Sequence, residues 1–258
     1  MTDQLRIDVA LVPHEARLTG GCVLIVIDQI RASTTLTAAL DLGISDLFLA
    51  GDLRTARRDA RRTGSLLAGE QAAVKPPGFD FDNSPSELSR SDIRGRRLLL
   101  LTTNGTAVLH RLRTVEHVLV GCLRNASAVA AAAFRLATAD GAAGDVQVVC
   151  AGRNDRFVLE DAVAAGVVVE RLMDLAGADG REPILTDPAQ AAIRLRSSYP
   201  DLLTAMQESS GGATLRRIGA PDDIDFCAEE DVSRTVPVFR DGSPMRIVRL
   251  ESPGRIDR

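Results

Sequence analysis

The chain reads VLIVIDQIRASTT at residues 23–35, and this stretch decides the fold class that the sequence predicts. Its first five residues are aliphatic without polar alternation, which is typical of a strand buried on both faces of a parallel sheet. Asp28 ends the strand, and a helical pattern of apolar residues begins soon after Arg31. Because ligands of open α/β sheets bind beyond the carboxyl ends of the strands, we expect Asp28 and Arg31 to lie in such a crevice. Ser33 and Thr34 either cap the helix or contact the ligand.

A second unit of strand, turn and helix follows the leucine run at residues 98–101. Glycine lets a backbone approach a ligand closely, and the N–H groups at a helix N-terminus favour an anion. The turn therefore predicts donors for a bound anion. Its polar and permissive residues are Thr103, Asn104, Gly105 and Thr106. Further along the chain, Asn125 is either a helix cap or another polar group directed at the same crevice.

A third unit begins with a predicted strand at residues 145–150 and continues through a polar turn into a helix. The first turn of that helix carries Glu160 and Asp161, which either complement the helix dipole or bind a metal ion. Adjacent helical positions point about 100° apart, so only one of the two is expected to reach the site. We favour Asp161 as that residue.

The acidic residues near these turns favour magnesium over zinc. Asp28, Glu70 and Asp161 are the candidate ligands, because carboxylate oxygens suit Mg²⁺, which usually takes one or two of them. The three histidines of the chain do not cluster, so a zinc site is not expected.

The segment QAAVKPPGFDFDN is irregular and ends at Asn83. A long irregular connection inside a compact domain is usually functional. Ser84 as N-cap, with Pro85 and Glu87 behind it, predicts a capping box at the start of a short helix. We expect Asn83 and Ser84 to contact the substrate. Further on, residues 209–212 predict a flexible link.

Composition argues against two classes of function. The net charge is −4 and aromatic residues make up 3% of the chain, which argues against nucleic-acid binding. No apolar stretch approaches the length of about 18 residues that a membrane span needs. The four cysteines lack CxxC spacing and are typical of free thiols in a reducing compartment, so we expect a cytoplasmic protein.

One other catalytic pattern is present in the third unit. Cys150 and Arg156 have the Cys-x5-Arg spacing of cysteine-dependent phosphatases, although Phe157 stands where those enzymes carry Ser or Thr. The chain contains no GxxxxGK[ST], GxGxxG or GxSxG motif. A cysteine-dependent phosphatase is therefore kept as an alternative.

The repeated units predict a three-layer α/β/α protein with a largely parallel or mixed sheet, in one or two lobes. Residues 1–240 form the predicted α/β unit, with a candidate lobe boundary near residues 140–145. Residues 241–258 are predicted to form an edge strand and a polar tail.

Several uncommon motifs occur in one order, namely IDQIRASTT, GFDFDNSPSE, LLTTNGT, RNASAVA, and VVCAG with FVLEDAVAAG. In this order they resemble the 2-phosphosulfolactate phosphatase family, over residues 5–240. The family pattern at the opening turn is closer to Asp-Val-Leu-Arg-Ala-Thr-Thr-Thr. Gln29 and Ser33 depart from it, and neither change removes a charge or a hydroxyl group.

The resemblance implies Mg²⁺-dependent hydrolysis of (R)-2-phospho-3-sulfolactate to sulfolactate and phosphate, a step toward coenzyme M. It also implies an α/β protein that self-associates, which we take to be a homodimer. A related small phosphorylated acid is a second possible substrate. The alternative from another class of function is a non-catalytic binder of small anionic metabolites, which would use the same crevice without a metal ion.

The mechanism that we infer at this point places Mg²⁺ on Asp28, Glu70 or Asp161, beside the phosphoryl oxygens and an attacking water. Arg31 is expected to bind phosphate or sulfonate. The residues expected to be catalytic are Asp28, Arg31, Asn104 and Thr106. Removing one well-placed donor typically costs about 10²–10³ in rate, so Asn104→Ala is expected to lose at least that much while the fold survives.

Overall fold

The computed structural model describes residues 4–18, 21–102 and 104–250, with the side chains of residues 104–107 outside that description. The described chain forms one mixed sheet of ten strands. The strands are β1 (Arg6–Ala10), β2 (Val23–Ile27), β3 (Asp46–Ala50), β4 (Leu66–Gly69), β5 (Arg97–Leu101), β6 (Val118–Gly121), β7 (Asp145–Cys150), β8 (Ile184–Leu185), β9 (Pro237–Arg240) and β10 (Met245–Arg249). Their spatial order is β4-β5-β3-β10-β9-β6-β2-β7-β1-β8.

Helices pack on both faces of this sheet. They are α1 (Ala32–Asp41), α2 (Leu53–Thr63), α3 (Pro85–Ser89), α4 (Asn104–Arg111), α5 (Ala126–Ala137), α6 (Leu159–Ala178), α7 (Asp187–Ser197), α8 (Leu202–Glu208), α9 (Ser210–Ile218) and α10 (Asp222–Ala228). Ile25 and Ile27 of β2 belong to the core that contains α5 and α6, whereas Leu24 and Val26 belong to the core that contains α1. Helices on both sides of a mixed sheet confirm the predicted three-layer α/β class.

The sheet contains two parallel groups that run in opposite directions. One group is β4-β5-β3, and the other is β6-β2-β7-β1-β8. Between them lie β10 and β9. The pairings of β3 with β10, of β10 with β9 and of β9 with β6 are all antiparallel, so β6 runs opposite to β3. Because β7 pairs with both β1 and β2, the sheet continues across residues 140–145.

The prediction of an edge strand within residues 241–258 is wrong. β10 lies between β3 and β9 in the middle of the sheet, and Ile247 is buried there. The alternation of Met245 and Ile247 with arginines indicates a strand, but it carries no information about which strands will pair with it.

The opening stretch folds as its pattern predicts. All five residues of β2 are buried, and β2 pairs in parallel with β6 and β7. The following helix, α1, is also largely buried, and two of its hydroxyl groups donate to backbone carbonyls four residues earlier. Thr35 Oγ1 donates to the Arg31 carbonyl at 3.0 Å, and Thr37 Oγ1 donates to the Ser33 carbonyl at 2.9 Å. These bonds satisfy polar groups that the helix carries into the core.

The predicted flexible link at residues 209–212 is wrong. Ser209 is the N-cap of α9, since its hydroxyl accepts the Gly212 N–H at 3.0 Å. Gly211 and Gly212 lie inside this helix and are buried. The two glycines allow α9 to pack closely on its neighbours, and they do not form a flexible segment of backbone.

The described residues bear on two expectations from the sequence, the lack of a membrane span and the presence of free thiols. No helix in the described ranges combines the length and the apolarity needed to cross a membrane. All four cysteines fall within the described residues, and they are buried and form no disulfide. The prediction of free buried thiols is therefore confirmed.

Candidate active site

A cleft of about 550 Å³ lies where polar turns from both parallel groups meet. Residues that follow β2 and β7 border it, as do residues that follow β3, β4 and β5. Its walls include Asp28, Arg31, Glu70, Asn83, Arg153 and Arg217. The first four of these residues are sequence-predicted site residues, and the structure brings them together. Since the two groups run in opposite directions, the cleft is not one edge of a single parallel sheet.

Asp28 is held at the cleft by the turn that follows β2. Its backbone N–H donates to Ser33 Oγ at 2.8 Å, and its Oδ1 accepts the Ala32 N–H at 3.2 Å. These contacts fix the carboxylate at the start of α1, with 8% of the residue exposed. Ser33 therefore supports the turn and does not line the cleft.

Arg31 is buried between two carboxylates. Its Nη1 donates to Asp223 Oδ2 at 2.8 Å and to Asp82 Oδ2 at 3.1 Å. Burial lowers the pKa of the Arg31 guanidinium, but the charges of Asp82 and Asp223 outweigh burial and raise that pKa above its ordinary value. Arg31 thus reaches the cleft as a fixed cation whose charge is already compensated.

Asp223, on α10, was not among the predicted site residues. It is fully buried and accepts hydrogen bonds from Ser84 Oγ at 2.7 Å and from Ser86 Oγ at 2.6 Å. Ser84 also accepts the Glu87 N–H at 3.1 Å, which confirms it as the N-cap of α3. The other half of the predicted capping box is wrong, because Glu87 Oε2 accepts the Asp82 N–H. Ser84 is buried in this network and is not part of the cleft wall.

Asp161 does not lie on the cleft wall either. Its Oδ1 accepts the Gln29 N–H at 2.8 Å and its Oδ2 accepts the Gly152 N–H at 2.9 Å. Burial raises the pKa of this carboxyl group well above its ordinary value, and the charges of Asp28 and Glu160 add to the effect. Both oxygens of Asp161 join the turns after β2 and β7, so the structure does not place it as a ligand within the cleft.

Asn125 and Thr34 are also directed into the protein. Asn125 is fully buried, and its side chain accepts the Cys122 N–H at 2.9 Å and donates to the Thr235 carbonyl at 2.9 Å. Thr34 is fully buried and donates to the Gln29 carbonyl at 2.9 Å. Both side chains therefore brace the backbone and cap neither α1 nor α5, and neither lines the cleft.

The turn after β5 can be placed only in part. Thr102 lines the cleft, and α4 begins two residues later at Asn104. Thr103 lies outside the described residues, as do the side chains of Asn104 and Thr106 and the surroundings of Gly105. Their expected roles in catalysis and binding stay predictions.

The cleft offers oxygen ligands for a cation. Within residues 4–18, 21–102 and 104–250, no three carboxylate, imidazole or thiol side chains are arranged to hold a metal ion, so the three predicted ligands do not form one cluster. Mg²⁺, however, usually takes only one or two carboxylates and completes its shell with water and phosphate oxygens. Asp28 and Glu70 both line the cleft, and the Asn83 Oδ1 is buried without a hydrogen-bond partner among the described residues. This donor set fits Mg²⁺.

Two basic residues of the cleft were missed by the sequence analysis. Arg153 belongs to the turn after β7, and Arg217 belongs to α9. Arg153 lies in one of the three turns that the sequence singles out, so its position could have indicated it. Arg217 follows a segment interpreted as a link, and no local pattern distinguishes it from Arg216.

The cysteine-dependent alternative does not fit the geometry. Cys150 is fully buried, and burial raises the pKa of its thiol well above the ordinary value. Arg156 is exposed and does not line the cleft, and neither does Cys150. The spacing of the two residues matches a catalytic loop, but β7 carries the sulfur into the core.

Strained backbone is concentrated at the cleft. Ala72, Ala73 and Asn154 line it with φ values of 54°, 63° and 52°. Residues other than glycine rarely adopt this left-handed region, and such outliers cluster at functional sites. Ala73 also donates its N–H to Glu70 Oε2 at 2.7 Å, so the strained turn orients one of the candidate metal ligands.

A three-layer α/β protein with arginines and carboxylates around one cleft belongs to the class of α/β proteins whose clefts suit small anionic ligands. This chain is a member of the 2-phosphosulpholactate phosphatase family, whose model matches residues 8–242. The family predicted from the motifs is therefore confirmed.

Individual relatives agree with this membership. A protein of Thermus thermophilus named probable 2-phosphosulfolactate phosphatase is 37% identical over 238 residues, which cover 92% of this chain and 94% of the relative. A protein of Methanothermobacter thermautotrophicus named 2-phosphosulfolactate phosphatase is 36% identical over 240 residues, which cover 93% and 95%. A probable 2-phosphosulfolactate phosphatase of Deinococcus radiodurans is 38% identical, with 85% and 88% covered.

Proposed function

We propose that this protein hydrolyses (R)-2-phospho-3-sulfolactate, or a closely related small phosphorylated acid, to the free acid and phosphate in the presence of Mg²⁺. Membership of the family supports the reaction. The observation that carries the proposal is the cleft that unites Asp28, Glu70 and Arg31. Carboxylates beside a fixed guanidinium suit a phosphate ester and a divalent cation together.

Four residues of the cleft have roles in this proposal. Asp28, Glu70 and Asn83 Oδ1 would hold Mg²⁺, and the bound ion would neutralise charge on the phosphoryl oxygens. Arg31 donates to a phosphoryl oxygen through N–H groups other than Nη1, which is bonded to Asp82 and Asp223. Asp28 accepts a proton from the attacking water.

The test is phosphate release from phosphosulfolactate by the purified protein, before and after treatment with EDTA. We expect EDTA to abolish release and added Mg²⁺ to restore it. Release that survives EDTA would contradict the dependence on a metal ion. Saturable binding of the ester without release would identify the non-catalytic binder instead.

The choice of substrate within this class needs a second measurement. We expect phosphosulfolactate to have the highest kcat/KM in a panel of phosphorylated hydroxy acids. A higher value for another member would assign the protein to that ester and leave the reaction class unchanged.

The cellular setting and the oligomeric state rest on the sequence. Buried free thiols support a cytoplasmic location, and the resemblance implies a step toward coenzyme M and a homodimer. Light scattering of the purified protein measures the oligomeric state, and a monomeric mass would contradict the homodimer.

A further inference from the structure

The arginines of the cleft differ in their partners. Arg31 is paired with Asp82 and Asp223, which compensate its charge. Arg153 and Arg217 line the same cleft, and neither forms an ion pair with a carboxylate among the described residues. The cleft therefore has positive charge that the protein leaves available to a ligand.

The position of Arg153 is fixed by α9. Its Nη1 donates to Thr214 Oγ1 at 3.3 Å, and the Thr214 hydroxyl in turn donates to the Ser210 carbonyl at 2.9 Å. The Arg153 backbone is also held, because its N–H donates to the Arg156 carbonyl at 3.0 Å. Arg153 is thus oriented by neutral groups, which leave its charge unchanged.

Arg217 lies on the same face of α9 as Thr214. Residues three apart on a helix are neighbours, so Arg217 is next to the hydroxyl that holds Arg153. Both residues are on the cleft wall together with Thr214. Two guanidinium groups from different elements therefore face one region of the cleft.

A buried carboxylate lies behind this region. Glu160 is 2% exposed and packs so closely on Gly211 that a Cβ there would collide with Oε1. Burial raises the pKa of Glu160, whereas the charge of Arg153 acts to lower it. Glu160 is not part of the cleft wall, so it does not block access of a ligand to Arg153.

We propose that Arg153 and Arg217 bind a second, non-reacting acid group of the substrate and so select phosphate esters that carry a sulfonate or a carboxylate. This inference rests on the proposed function, since it assigns the remaining part of the same substrate. Arg31 and the carboxylate residues take the phosphoryl group, and the two arginines take the acid group. Planar guanidinium groups suit such oxyanions because they donate in pairs.

The test compares two substrates in Arg153→Ala and Arg217→Ala variants. One substrate is phosphosulfolactate, and the other is isopropyl phosphate, a secondary phosphate ester without an acid group. Hydrogen bonds to charged groups contribute enough that each variant is expected to raise KM for phosphosulfolactate about 10-fold or more, with kcat little changed. The kcat/KM for isopropyl phosphate is expected to stay at the wild-type value.

The chain offers a matched control for each variant. Arg156 belongs to the same turn as Arg153, and Arg216 is adjacent to Arg217 on α9, where its Nη1 donates to the Gln207 carbonyl. Neither control residue lines the cleft, so Arg156→Ala and Arg216→Ala are expected to keep the wild-type KM. Equal losses on both esters, or no loss on phosphosulfolactate, would overturn the proposal.

Binding of the product separates this inference from the proposed function. Calorimetry with 3-sulfolactate measures the acid-group site without turnover. If the wild type binds sulfolactate and both alanine variants lose about 10-fold in affinity, the site is supported even where no ester is hydrolysed. Unchanged affinity in both variants would overturn it, whatever the phosphatase assay shows. Arg153→Gln and Arg217→Gln, which remove the charge but keep most of the side-chain length, replace any alanine variant that does not fold.

Discussion

Two sides of the cleft hold their polar groups in different ways. The oxygen-rich side consists of Asp28, Glu70 and Asn83, and Arg31 beside it is paired with the carboxylates of Asp82 and Asp223. The basic side consists of Arg153 and Arg217, which the described part of the chain pairs with no carboxylate. The charge of Arg31 therefore holds the site together, whereas the charges of the basic side are available to the ligand.

The difference shows why the presence of an arginine in a cleft does not by itself identify its role. Arg31 connects the turn after β2 to α10 through Asp223 and to the loop before α3 through Asp82. Its removal would disturb three segments at once. The Arg153 side chain is bonded to one hydroxyl group within the described residues, so its removal should alter binding and leave the fold intact.

The largest effect is expected from Asp223→Asn, which breaks the structural pair of the oxygen-rich side. Asp223 is fully buried against Arg31, and breaking a buried pair leaves an uncompensated charge that costs about 3–5 kcal/mol. Urea denaturation should show this loss in the free energy of unfolding. The control is Asp222→Asn on the same helix, whose exposed pair with Arg90 contributes at most about 1 kcal/mol. Equal losses of unfolding free energy in the two variants would contradict the structural role of Asp223.

The next effect is expected from Glu70→Gln, which removes a charged oxygen ligand from the same side. Metal-ion stabilisation of transition-state charge amounts to several kcal/mol, so kcat should fall at least about 100-fold. The Mg²⁺ concentration for half-maximal activity should rise. Asp52 also lines the cleft, but it caps α2 by accepting the Thr55 N–H at 2.9 Å. Asparagine caps equally well, so Asp52→Asn should keep the wild-type rate, and similar rates for both variants would count against Glu70 as a ligand.

A smaller effect is expected from Gly211→Ala, which disturbs the support of the basic side. A Cβ at Gly211 would collide with the Glu160 carboxylate and lie 3.1 Å from the Ile30 Cβ. Overpacking of this kind costs about 1–3 kcal/mol, and the shift of α9 should also raise KM for phosphosulfolactate. The control is Gly177→Ala in α6, where no atom lies within 4 Å of the added Cβ. We expect thermal denaturation to show a lower Tm only for Gly211→Ala, and an unchanged Tm there would refute the close packing.

The smallest effect is expected from Thr214→Val, which removes the hydroxyl that orients Arg153. A hydrogen bond of about 0.5–1.5 kcal/mol corresponds to a rise in KM for phosphosulfolactate of about twofold to twelvefold, with kcat unchanged. Thr214→Ser keeps the hydroxyl and should restore the wild-type KM. If serine and valine behave alike in steady-state kinetics, Arg153 is not positioned by this contact.

The sequence predicted the oxygen-rich side of the cleft better than the basic side. Asp28 and Arg31 follow a strand whose apolar run is unambiguous, and Glu70 and Asn83 begin and end an irregular loop. All four of these residues line the cleft. Their position could be predicted because it follows from the local sequence pattern and from the order of the elements along the chain. Arg217 could not be found in this way, since its place in the cleft depends on how α9 packs.

The predicted site residues that do not line the cleft are held away from it for one physical reason. Asp161 and Asn125 are polar residues near strand ends, as a ligand-binding residue would be. Asp161 instead bonds backbone N–H groups of two turns, and Asn125 bonds the Cys122 N–H after β6 and the Thr235 carbonyl before β9. One partner of each residue lies far away in sequence, Gln29 for Asp161 and Thr235 for Asn125, and a pattern of neighbouring residues carries no information about such a partner.

The sequence by itself determined the α/β class, the buried strand β2, the free thiols and the family, because apolar period, turn chemistry and motif order are local properties of the chain. Only the tertiary structure decided that β10 lies inside the sheet and that two parallel groups run in opposite directions. It alone also showed that carboxylates compensate the charge of Arg31, whereas the charges of Arg153 and Arg217 are not paired in this way within the described residues. The reason is that strand pairing, burial and charge compensation depend on contacts between segments, which form only when the chain is folded.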